Sequence, residues 1–119
     1  MTVKDSYELA LALMAQDDAE DYQKQAVALV NLMLPELAPV NDSILCAQGK
    51  APGQYAPVSA LSDALPLVDT VARGILPYGL AAKLSLDDDR NKASYFNNEF
   101  VEKKALLKKA VQEVASWRT

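Results

Sequence analysis

Histidine is absent from this chain and cysteine occurs once, as Cys46. Together these two facts remove histidine-based triads, Cys/His metal sites and any disulfide within the chain. Aromatic residues make up only 7% of the sequence. Those spaced for a helix, Tyr95, Phe96 and Phe100, suit a core better than a base-stacking platform. No glycine-rich phosphate loop and no pair of Glu-x-x-Glu helices is present. The apolar windows are broken by Lys, Arg, Asp or Pro well short of the roughly 20 residues that a membrane span requires, so no membrane partner is expected. Asp5 and Glu8 interrupt the first apolar stretch, which does not read as a secretory leader. No segment alternates apolar and polar residues with β-branched enrichment, which excludes a sheet protein. What is left is a non-enzymatic, all-α domain of 119 residues, half of them hydrophobic, with no cofactor or metal called for.

The charge is uneven. Residues 1–60 carry three bases (Lys4, Lys24, Lys50) against eight acids, a balance of −5. Residues 61–119 carry nine bases against eight acids, a balance of +1, giving the net −4 of the whole chain. An acidic half and a basic helix can meet within one molecule or between copies. A net acidic chain does not suggest sequence-specific nucleic-acid binding.

One stretch, Leu65 to Asp89, is apolar around most of a helical circumference, the pattern of an element buried on several sides. It predicts a central helix over 64–86, capped by Ser62-Asp63 and kinked at Pro77, whose ring crowds the carbonyl four residues back. Gly74 and Gly79 each cost roughly 1 kcal/mol relative to alanine in a helix interior, which calls for close approach of a neighbouring helix.

The other segments are amphipathic. A first helix is expected over about 5–14, capped by Asp5 or Ser6. A second spans 18–48, with Tyr22, Ala26, Leu29, Val30, Met33, Leu34 and Leu37 on one stripe and a kink near Pro35 and Pro39. Asp17 or Asp18 should cap it. The cluster Asp17, Asp18, Glu20 and Asp21 is read as a helix start favoured by the dipole, not as a metal site. A loop over 49–62 follows, of a length usually tied to function or to a partner. Asp87-Asp88-Asp89 is a junction and cap, since no calcium-loop spacing follows it. The last helix runs over 90–117. Its seam is Ala93, Phe96, Phe100, Lys103, Leu107, Ala110, Val114 and Trp117, and it is long enough to overhang the domain. The expected architecture is therefore a bundle of four to five helices around a Pro-kinked centre. The expected subunit interface comprises Lys103, Lys104, Lys108, Lys109 and Trp117 on one side and Asp17, Asp18 and Asp21 on the other.

The run Leu76-Pro77-Tyr78-Gly79-Leu80-Ala81, the acidic turn after it, and Tyr95-Phe96-Asn97 leading into a charged helix resemble small proteins of prophage and tailed-phage structural gene clusters. These are the head–tail connector (adaptor, or head-completion) proteins. The Tyr7–Met14 helix and Val30-Asn31-Leu32 also fit that pattern, whereas Pro35 and Pro39 depart from it. The resemblance implies a small helical subunit that forms a ring with copies of itself beneath the portal protein, extends the DNA channel, and meets a tail-completion protein. It implies residence in the virion, after assembly in the bacterial cytoplasm. Its distinctive motif is a packing motif, so no functional residue transfers individually. The reading from a different class is a small helical regulator that binds a protein partner as a monomer or dimer.

Overall fold

Thr2 sets the start of the first helix. Its hydroxyl accepts from the Asp5 N–H at 3.2 Å, and the Asp5 carboxylate accepts from the Thr2 N–H at 2.9 Å, closing a capping box. The Thr2 N–H first, and the Thr2 side chain second, hold the Asp5 carboxyl below the usual carboxylate range. In this computed structural model, which describes residues 1–117 with side chains as far as Val114, helix α1 is therefore Val3–Met14. It is followed by α2 (Glu20–Ala47), α3 (Asp69–Gly74), α4 (Leu76–Leu84) and α5 (Arg90–Trp117). No strand occurs among the described residues beyond one isolated bridge, Thr2 to Ala64. The fold is an all-α bundle, as expected, with a long last helix.

Several boundaries differ from the sequence expectation, each for a local reason. Ser6 does not cap α1. It is buried, and its Oγ donates to the Ala72 carbonyl at 2.8 Å, tying α1 to α3. Neither Asp17 nor Asp18 caps α2, whose N-cap is Ala19 without a side-chain bond. Pro35 and Pro39 both lie inside α2. Four residues apart, they share one exposed face, where carbonyls deprived of a helical donor can reach water, while Met33, Leu34, Leu37 and Val40 stay buried on the other.

The central helix of 64–86 is not one kinked helix. It begins only at Asp69 and breaks at Ile75 (φ −121°, ψ −55°), so that Pro77 falls in the first turn of α4, where a missing N–H costs nothing. Residues 61–65 instead run against the N-terminus. Lys4 N–H donates to Leu61, Val3 N–H to Asp63, and Leu65 N–H to Met1. Asp63 does not cap a helix; its carboxylate accepts the N–H groups of Ser59 (2.7 Å) and Ala60 (3.1 Å). The centrality of the second piece holds. Helix α4 packs on α1, α2, α3 and α5, and Leu76, Pro77, Gly79, Leu80, Ala81, Ala82 and Leu84 are buried.

Gly79 is the point of closest approach. A Cβ there would sit 2.8 Å from Met33 Sδ and 2.9 Å from Phe100 Cε1, so the absent side chain is what lets α2, α4 and α5 meet. Gly74 serves no such purpose: a Cβ there meets nothing within 4 Å, and the residue lies at the end of α3.

The long loop between α2 and α3 is ordered by α2 itself. Asn31 grips Val58 twice, donating to its carbonyl (2.9 Å) and accepting from its N–H (2.8 Å). Asn41 donates to Tyr55 Oη (2.9 Å) and accepts from Val68 N–H (2.8 Å). Tyr55 in turn donates to Asp42 (2.6 Å), which also accepts the Gly53 N–H. Burial, then that carboxylate, raises the Tyr55 phenol above its ordinary pKa.

Candidate functional site

Helix α5 opens on Asp89, whose Oδ1 accepts the N–H groups of Asn91 (3.0 Å) and Lys92 (3.1 Å), so the acidic turn is a cap as its position implied. Its 28 residues span about 42 Å at 1.5 Å per residue, against a longest molecular dimension of 48 Å. The first half is packed, with Ala93, Phe96 and Phe100 buried between α4 and α2. Beyond Phe100 no described residue of the helix is fully buried. After Lys104 only Leu107 and Val111 remain half-buried, while Leu106 (58% exposed) and Val114 (41%) face solvent with Lys108, Lys109 and Ala110. The predicted seam thus packs to Phe100, thins through Lys103 and Leu107, and is open at Ala110 and Val114. The Trp117 side chain lies outside the described residues.

The four interface lysines divide into two kinds. Lys103 lies 3.5 Å from Glu99 and 4.9 Å from the centre of the Tyr78 ring. Lys104 Nζ lies 2.7 Å from Glu36 Oε1 and 4.4 Å from the centre of the Phe100 ring. Part of the acidic–basic attraction read from the sequence is therefore satisfied within one chain, between α2 and α5. Lys108 and Lys109 are exposed and make no ion pair among the described residues.

On the acidic side, Asp17 and Asp21 are exposed, and Asp18 is engaged at the junction of α1 and α2. Asp18 accepts from the Tyr7 hydroxyl (2.5 Å) and from Gln23 Nε2 (2.8 Å), and these donors hold its carboxyl below its ordinary range. Burial first, and the Asp18 bond second, push the Tyr7 phenol up to about 12. Next to this junction, Tyr22 donates to Asp88 Oδ2 at 3.0 Å, which raises the Tyr22 phenol. That single bond joins the acids of the α1–α2 junction to those of the α4–α5 turn, two clusters some seventy positions apart in the chain. Nothing local in the sequence signals the union; Tyr22, a lone phenol at the head of an apolar stripe, is its only trace.

A groove of about 560 Å³ lies between the C-terminal parts of α2 and α5, with Pro39, Asp42, Ser43 and Cys46 on one side and Val111 and Val114 on the other. Cys46 is exposed on it; the one ionisable neighbour in the lining, Asp42, is held by the Tyr55 hydroxyl and the Gly53 N–H. Among the described residues no cluster of acids, cysteines or histidines has the arrangement of a metal site, and no helix is long and apolar enough to cross a membrane. The feature best suited to act on something outside the chain is the open half of α5. No family model matches this chain, nor does any curated protein or solved structure.

Proposed function

We propose that this chain is a non-enzymatic structural subunit of a tailed-phage particle, a head–tail connector that forms a ring between portal and tail and extends the DNA channel. The observation that carries the reading is the second half of α5. A helix continued for several turns past its last buried residue, Phe100, with Leu106 and Val114 open to solvent, leaves apolar surface that an isolated monomer gains nothing by exposing. Surplus helix of this kind suits a subunit completed by its neighbours. The likeness of the Leu76–Ala81 motif and the charged last helix to connector proteins supplies the class of assembly.

The test is genetic and morphological. In a phage or prophage that carries this gene, deleting it should yield DNA-filled heads and separate tails, with tailed particles restored by supplying the chain in trans. Tailed, infectious particles from the deletion strain would contradict the proposal.

A further inference from the structure

The bundle is electrically polarised along its length. Helices α2 and α5 run in the same direction, since Met33 and Phe100 meet at Gly79 and Glu36 meets Lys104 one turn further on. Their N-termini stand side by side at one end, joined by the Tyr22–Asp88 bond. Asp17, Asp21 and Asp87 are all exposed there, and their carboxylates make no hydrogen bond or ion pair among the described residues. Leu86 beside them is 56% exposed. The local cations are Lys24, already 3.5 Å from Glu20, Lys4, 3.9 Å from Glu8, Lys83 beside Leu86, and Arg90 and Lys92 in the first turn of α5. They are outnumbered by Asp17, Asp18, Glu20, Asp21, Asp87, Asp88 and Asp89. At the far end Lys108 and Lys109 extend from α5 beside Leu106, with Glu113 and Glu102 as the nearest acids in sequence. Each end thus offers an exposed leucine with unspent charge, and the charges are of opposite sign.

We infer that the open half of α5 docks on a second copy of this chain, at the composite acidic end built from the α1–α2 junction and the α4–α5 turn. This rests on the assembly reading above and specifies its contact. The two surfaces lie on different parts of the molecule. A copy that has used one still presents the other, so the contact is heterologous and propagates until it closes. Exposed charge pairs are individually weak and screened by salt. The association therefore weakens as salt rises from about 0.1 M to about 1 M, where the screening length falls from about 10 Å to about 3 Å.

Sedimentation of the full chain with two complementary variants tests the contact. The double variant Lys108→Glu, Lys109→Glu makes both ends acidic. The triple variant Asp17→Lys, Asp21→Lys, Asp87→Lys makes both ends basic and removes no bond of the monomer. Each alone should lose about tenfold or more in self-affinity with unchanged helical circular dichroism. Mixed one to one, they should assemble again, because every contact then pairs opposite charges. Three results overturn the inference: a wild type that stays monomeric at low salt and high concentration, association indifferent to the acid reversals (which points to a two-fold α5–α5 dimer), or a mixture that fails to assemble. None of these outcomes touches the deletion phenotype. Conversely, ordinary particles from the deletion strain would remove the connector reading and leave a salt-dependent contact standing.

Discussion

Replacing Gly79 by alanine should destabilise this protein, although alanine is the better helix former by roughly 1 kcal/mol. The new methyl would lie 2.8 Å from Met33 Sδ and 2.9 and 3.0 Å from two carbons of the Phe100 ring. Carbon contacts are optimal near 3.5–4.0 Å, so both neighbours must retreat by most of an ångström. Met33 is fully buried and Phe100 nearly so, which leaves little free volume to receive them. Overpacking of this kind costs about 1–3 kcal/mol; subtracting the propensity gain of roughly 1 kcal/mol leaves a net loss of up to about 2 kcal/mol. Valine, with more volume and a stiffer χ1, should lose more. A double-mutant cycle isolates the cause. Met33→Ala alone should cost about 2–5 kcal/mol as a cavity. Combined with Gly79→Ala, the loss should fall short of the sum by at least about 0.5 kcal/mol, because the methyl moves into the vacated space. Urea midpoints measured at constant m-value give all four corners. A stabilising Gly79→Ala, or an additive cycle, would refute the packing account of the three-helix junction.

Two further expectations follow from α1. Ala15 terminates that helix in the left-handed region (φ 56°) while exposed; Ala15→Gly should stabilise by about 1 kcal/mol, readable as a rise in thermal midpoint. The Tyr7 phenol titrates near 12 in the folded chain against 10 ordinarily. The folded state thus holds that proton more tightly, and the associated stability is complete below pH 10 and lost as pH rises through about 12. The loss should reach up to about 3 kcal/mol in denaturant titrations across that window. Tyr7→Phe should remove most of the slope, with a remainder from Tyr22 and Tyr55, which shift the same way. An unchanged slope would show that the Tyr7 phenol is not held by burial and the Asp18 bond as described.

What could be read in the sequence was what the chain decides locally. The amphipathic period of α5 and the aspartate that starts it are neighbours in the chain, so both its extent and its cap were legible. Helix α1 begins two residues before the expected start because Thr2, in a capping box with Asp5, caps it in place of Asp5 or Ser6. The central stretch failed for a different reason: apolar periodicity runs unbroken through Ile75. It cannot show that Pro77 belongs to the first turn of a new helix, nor that residues 61–65 are held extended by backbone bonds to the N-terminus. Asp18 looked like a cap because the phenol that claims it lies on the preceding helix. The pairing of Lys104 with Glu36 and of Tyr22 with Asp88 spans 68 and 66 positions. These contacts exist only once α2 and α5 lie side by side, and they decide which charges of the candidate interface are already spent and which stay open.

The most direct test of the central claim, that α5 makes this chain a subunit of a larger particle, is its incorporation. Tailed particles purified from a strain that produces the wild-type chain should contain it, in several copies per particle by quantitative mass spectrometry. In a strain producing only the Lys108→Glu, Lys109→Glu variant, the folded chain should remain in the lysate and tailed particles should be few. Normal tailed particles that contain none of the wild-type chain would contradict the account.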